Sequence, residues 1–443
     1  MSKRNQIAAT LIAEIVRSHK RGRPRALAAA CTVSPLAIRA VLQQAAQDGM
    51  VALIESTANQ VNPTGGYSGL TPDLFHRMVV QLARSVGMPE NRLILGGDHI
   101  GPYPWRHLKA DQALDQAAQL AVACAASGYQ KLHLDTSSPC VDDRVASDGT
   151  LPLAVVYRRS ALLCRETEQA ARSTGWPAPW YVIGSDVPPP GGQSLQAGAA
   201  PVSPVQHVRE SLSVCRRVFR DAGLEDAWRR VAAIVVHTGA DFSPVAVQPY
   251  NTQRMQPLAA YLRQEKQLVF EAHATDFQAP SALVSMVADH CGILKVGPAL
   301  TYAMREALFS LADMEETLIG EVKSVTPSRL PDTMERLMLE SPVFWQTYYQ
   351  GSLAEQKRLR RSAFSDRIRY YWDRPAARRA LQRLMANLRK YPPPLALLEK
   401  YLPDAARKVR QGHLENDPEI IVVDRIADVA KVYAQACRAW VET

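Results

Sequence analysis

Eight short apolar runs punctuate the chain, each too brief for a helix and each closing on polar residues. They are RALAAACTVS near residue 26, VALIEST from 51, RLILGGDH from 92, KLHLDTS from 131, WYVIGSDVPPP from 180, AAIVVHTG from 232, QLVFEAHATD from 267 and GILKVGPALT from 292. Unbroken Val, Ile and Leu at consecutive positions mean that both faces of a strand are covered, the mark of parallel strands flanked by helices. The polar residues stand at the C-terminal end of every run: Ser34, Glu55, Asp98 with His99, Asp135, Asp186, His237, His273 with Asp276, and Lys295.

Helical segments separate the runs. In TPDLFHRMVVQLARSVGM, Thr71 is suited to cap the N-terminus, Pro72 to the first turn and Asp73 to the helix dipole, while Phe75, Met78, Val79, Leu82 and Val86 share one face. ADQALDQAAQLAVACAASG ends in Gly128, a left-handed C-cap. Eight strand-helix units predict an α/β fold, a (β/α)8 TIM barrel, whose active site would be built at the C-terminal ends of the strands; an open doubly wound sheet is the competing topology. The expected organisation is an N-terminal helix or arm over 1–25, the barrel over 26–329 and a helical region over 330–443 that packs on the barrel or joins subunits.

Composition changes this picture little. A chain of 443 residues with 47% hydrophobic and 21% charged residues has ample material for a core. The net charge of +9 suits anionic small molecules as well as nucleic acid. HKRGRPR, at 19–25, is like a minor-groove hook, but one copy directly before a strand reads better as a solvated turn. Seven dispersed cysteines without a CxxC suggest neither disulfides nor a zinc ribbon. No apolar run reaches the roughly 20 residues of a membrane span and the N-terminus lacks a signal-peptide pattern, so a cytoplasmic protein is expected.

The chemistry lies at the strand ends. His99, His237 and His273 would meet at one mouth, and three neutral imidazoles with an open position suit a catalytic divalent ion, zinc before manganese or magnesium. Asp98 would move a proton beside it or orient a histidine. Glu55, Asp186 and Glu271 are further acids able to act as ligand or general acid, Asp135 points into the mouth, and alternation sets His133 one layer deeper, as a core residue. Amides of Gly65, Gly66 and Gly69 in NPTGGYSGLTP form a candidate oxyanion or phosphate cradle. Lys295 suits an anionic substrate group better than a Schiff base, and Arg367 or Arg369 in FSDRIRYYW could reach the same group.

Taken together, ESTANQVNPTGGYSGLTP, LILGGDHIGP, KLHLDTS, YVIGSDVPPPGG, VFEAHATDFQ, ILKVGPALT and SDRIRYYW resemble the GatZ/KbaZ family of tagatose-1,6-bisphosphate aldolase subunits, from about residue 20 to the C-terminus. The resemblance implies a barrel of the class II aldolase type. It also implies one of two functions: a metal-dependent C4 epimerase, or related retro-aldol enzyme, acting on a ketohexose or its 6-phosphate in tagatose or galactitol-type catabolism; or a non-catalytic subunit that stabilises a separate aldolase chain. In the enzymatic reading Asp98 moves the proton, Asp186 or Glu271 serves the opposite face, and Glu55, Asn59, Gln60, Gly65, Gly66, Asp135, Lys295 and Arg367 bind substrate. The expected partners are a ketose or ketose phosphate, an aldolase chain and further copies of this chain, but no membrane and no nucleic acid. Two positions depart from the family pattern: Asp186 stands where Glu is usual and His237 where Gln is frequent. No P-loop or protein-kinase motif set is present.

Overall fold

The computed structural model describes residues 6–184, 200–265, 267–320 and 324–438. All eight apolar runs form strands: β1 (Leu27–Cys31), β2 (Ala52–Thr57), β3 (Leu93–Ile100), β4 (Lys131–Leu134), β5 (Trp180–Ile183), β6 (Val231–Val235), β7 (Val269–Ala272) and β8 (Cys291–Val296). Each pairs in parallel with its sequence neighbours, and β8 closes on β1, so the sheet is a barrel rather than the open alternative. Strands β4, β6, β7 and β8 are buried at every position, as parallel strands under a helical coat must be. A short antiparallel hairpin, Asp241–Phe242 with Val247–Gln248, follows β6.

Helix starts follow local chemistry. The Thr71 hydroxyl accepts the Leu74 N–H at the head of Pro72–Ser85, while Phe75, Val79 and Ala83 of that helix are buried. Gly128 takes the left-handed conformation after Ala110–Ala126 and leads into β4. The N-terminal helix Gln6–Lys20 closes the floor of the barrel, where Ile12, Ile15 and Val16 pack on inward residues including Leu53, Ile94, Val182 and Ile293.

Above this apolar floor the barrel interior becomes charged. The register sets Glu55 beside Gly96, Gly96 beside Lys131, and Ala29 beside Lys295. Gly96 is required there, because a Cβ would enter the space of the Glu55 carboxyl group.

The C-terminal region is helical, as expected, and shares the core of the barrel coat. Pro418–Arg438 packs on Pro35–Gln47, Pro280–Ala288 and Pro298–Ile319, and the Tyr433 hydroxyl donates to the Thr275 carbonyl at 2.8 Å. A buried ion pair, Arg305 Nε to Asp366 Oδ1 at 2.6 Å, anchors the segment leading into the 3-10 helix Arg367–Tyr371. Among the described residues no helix is long and apolar enough to cross a membrane.

Candidate functional site

Adjacent residues of a regular strand point to opposite sides, so Asp98 and His99 should not both face the interior. They do so because β3 is irregular at its end. The ladder to β4 shifts register between Gly97 and Ile100, and His99 has a φ of +49°, a left-handed conformation uncommon for any residue but glycine. Both side chains thereby reach one cavity, and Gly101 follows because a Cβ there would collide with the Asp135 carbonyl.

Three imidazoles converge at this point: His99, His133 and His273. Their ring centroids lie 4.9 to 5.1 Å apart and the rings stand steeply to one another. Ligand atoms of these three and of Asp98 all fall within 4.8 Å of each other. Each imidazole has its remaining nitrogen on a carboxylate: His99 Nδ1 on Asp135 Oδ2 at 2.9 Å, His133 Nδ1 on Asp98 Oδ1 at 3.1 Å, and His273 Nε2 on Glu271 Oε1 at 2.8 Å. A carboxylate on the outer nitrogen favours the tautomer with its proton there and turns the inner lone pair toward the centre. At His99 burial opposes charge, but Asp98 and Asp135 outweigh it and raise the imidazole above its ordinary value, so a metal ion there would displace a proton. His133 Nε2 is buried without a hydrogen-bond partner among the described residues, an arrangement that a bound cation would satisfy. The donor set therefore fits a divalent metal ion of the zinc type, with an open side toward the cavity.

The carboxylates are themselves held by buried lysines. Lys131 Nζ bridges Glu271 Oε2 at 2.5 Å and Glu55 Oε1 at 2.7 Å, and Lys295 Nζ bridges Glu55 and Asp98, the latter at 2.8 Å. A chain of alternating charge thus joins His273 to His133 through the barrel: Glu271, Lys131, Glu55, Lys295, Asp98. With Asp135 included, four carboxylates meet two ammonium groups and the His99 imidazole among the described residues. Burial opposes charge throughout, yet His99 and Lys295 hold Asp98 well below the usual carboxylate range, and Lys131 does the same for Glu271. Burial also lowers Lys295 and Lys131, but their carboxylate neighbours outweigh it and raise both above the ordinary ammonium value. His273 is driven by burial down to about 3, against the pull of Asp98 and Glu271, and is neutral at physiological pH.

The cavity measures about 320 Å³. Of the residues expected to act here, Asp98, His99, His273, Asn59, Gln60, Asp135 and Lys295 line it. His237 does not, and it is absent from the ligand group: the chain beyond Val235 leaves the barrel, with Ser203 Oγ accepting the His237 N–H at 2.9 Å. His133, expected in the core, takes its place. Glu55 and Glu271 lie beneath the cavity rather than in its wall, because their carboxylates are spent on Lys131, Lys295 and His273.

Two of the three glycine amides expected to cradle an anion are engaged within their own loop. The Gly65 N–H donates to the Asn62 carbonyl and the Gly66 N–H to Asn62 Oδ1, so both amides are consumed within the loop. Arg367 is buried against Tyr348 and donates to the Phe344 carbonyl, while Arg369 lines the cavity instead. Asp186 lies outside the described residues.

Two groups were not singled out as site residues by the sequence. Tyr348 and Tyr370 bring the C-terminal region into the cavity wall, a placement that no hydrophobic periodicity reveals. Asp276 also lines it; its Oδ1 accepts the N–H groups of Gly297 and Ala299, and burial, outweighing these bonds, raises its carboxyl group to about 6.

Across residues 12–438 the chain matches a family described as D-tagatose-1,6-bisphosphate aldolase subunit GatZ/KbaZ-like. Proteins named D-tagatose-1,6-bisphosphate aldolase subunit GatZ from Salmonella enteritidis and Salmonella agona are 39% and 38% identical to it over 424 residues, 96% of this chain and 98% of theirs. The fold is similar to the crystal structure of a Sinorhizobium meliloti protein described as a probable tagatose 6 phosphate kinase, with a TM-score of 0.84 and 37% identity over 93% of this chain and all of that one.

Proposed function

We propose that this chain, which belongs to the GatZ/KbaZ-like family, carries out aldolase-type chemistry on a sugar with a divalent metal ion, zinc first, and within that class epimerises a ketohexose at carbon 4. The observation that carries this reading is the set of three converging imidazoles, each backed by a carboxylate, at the open end of the barrel. A divalent ion held by His99, His133 and His273 would polarise the carbonyl and hydroxyl oxygens of a bound ketose.

The protein groups supply the rest. Asp98 Oδ2 lies 3.6 Å from His99 Nε2, beside the open side of the site, and is placed to take the proton of the carbon-4 hydroxyl. As the bond between carbons 3 and 4 breaks, its electrons pass to the ketone fragment. Return of the aldehyde carbon through its other face restores the bond with inverted configuration and gives the proton back. Inversion needs a second group that holds a proton near neutrality. Asp276, at about 6, is the described cavity carboxylate with that property. Asn59, Gln60, Asp135 and the Ser137 and Ser138 hydroxyls, all in the cavity wall, supply polar contacts to a polyol.

The relatives are named as subunits, which favours a second reading in which this barrel stabilises a separate aldolase chain. The purified chain, incubated alone with Zn²⁺, Mn²⁺ or Mg²⁺, is expected to convert fructose 6-phosphate to its carbon-4 epimer, read by chromatography of the sugar products. An inert chain that instead raises the thermal stability or turnover of a tagatose-bisphosphate aldolase would establish the second reading.

A further inference from the structure

The cations around the cavity are not equivalent. Lys131 and Lys295 are each bridged by two carboxylates and have no charge to offer a ligand. Arg369, from the C-terminal 3-10 helix, lines the cavity, is largely buried and has no carboxylate within ion-pair distance among the described residues. Its Nη1 donates to the backbone carbonyls of Ser365 and Asp366, and its Nη2 to the Tyr370 hydroxyl at 3.0 Å. The Asp366 carboxylate, three residues earlier, pairs with Arg305 through Oδ1 and acts on Arg369 only through its field, and Asp276 likewise feels Arg369 without pairing with it. A guanidinium has five N–H donors, so Nε and one hydrogen on Nη2 remain.

A buried guanidinium with no carboxylate in contact gains from a ligand that brings an anion, and the planar fork of Arg matches two phosphate oxygens at once. Tyr103, Tyr348 and Ser138 add hydroxyls to the lining of the same cavity, whose volume suits a hexose monophosphate. We propose that Arg369 binds the phosphate ester of a phosphorylated ketose, so that the C-terminal region, not the barrel, selects a phosphorylated substrate. This rests on the sugar-binding reading of the cavity given above, but not on turnover.

The test is calorimetric titration of the full-length zinc-loaded chain, wild type and Arg369→Met, with fructose 6-phosphate, free fructose and inorganic phosphate. The wild type is expected to bind fructose 6-phosphate well above fructose, with inorganic phosphate competing. Arg369→Met should weaken fructose 6-phosphate about 10- to 100-fold and collapse that preference, and Arg369→Lys should recover part of it. Zinc content and circular dichroism of the variants confirm an intact barrel. Equal weakening of the phosphorylated and free sugars, or an undiminished preference, overturns the proposal. Selective loss of fructose 6-phosphate binding in a chain that never turns it over would uphold the Arg369 subsite while removing the epimerase reading.

Discussion

His133 Nδ1 lies 3.1 Å from Asp98 Oδ1, so the acid of the Asp98–His99 pair orients an imidazole on the neighbouring strand rather than only serving its own. This contact draws a residue with the burial of a core side chain into the ligand group, because it leaves Nε2 facing the converging donors.

Metal content separates the two candidate histidines, His133 and His237. His133→Ala should abolish stoichiometric zinc binding, measured by metal analysis after dialysis, whereas His237→Ala should retain it. A zinc-replete His133→Ala protein would remove His133 from the site.

Outer carboxylates tune ligand basicity and ring orientation. Asp135→Asn and Glu271→Gln should each lower zinc affinity about 10- to 100-fold in competition with a chelating dye. An unchanged affinity would mean that these acids serve folding alone.

Glu55 lies between two buried ammonium groups. Glu55→Gln leaves them facing each other with half their compensation lost, and should destabilise the metal-free protein by about 3–5 kcal/mol in urea unfolding. A loss under about 1 kcal/mol would show that water enters the barrel and screens the network.

Asp276 offers a pH signature. Its carboxyl group is raised to about 6 when folded, against about 4 in an unfolded chain, so between those values the folded state holds the extra proton and this group's contribution to stability falls as pH rises. Asp276→Asn is neutral throughout and keeps an oxygen for the Gly297 and Ala299 N–H groups. It should therefore exceed the wild type by about 1–3 kcal/mol above pH 7 and converge with it near pH 4. Parallel curves would place the Asp276 carboxyl at its ordinary value.

Much of this architecture was legible in the residue pattern. The eight apolar runs, the Thr71 cap and the Gly128 stop depend on local periodicity and backbone preference, which operate within one element. The polar ends of the runs lie at the end of the barrel that holds the cavity, and Asp98, His99, His273, Asn59, Gln60, Asp135 and Lys295 all line it.

What only the tertiary structure decided was which of those groups touch. The left-handed turn at His99, the departure of the chain after Val235 that carries His237 away, and the depth at which Glu55 and Glu271 meet Lys131 depend on register between strands. Arg369 enters the cavity from a region some 70 residues beyond the last barrel strand. Hydrophobic alternation is a property of one strand and can be read along the chain. Ion pairs and ligand sets belong to the space between strands, where separation in sequence carries no information about distance.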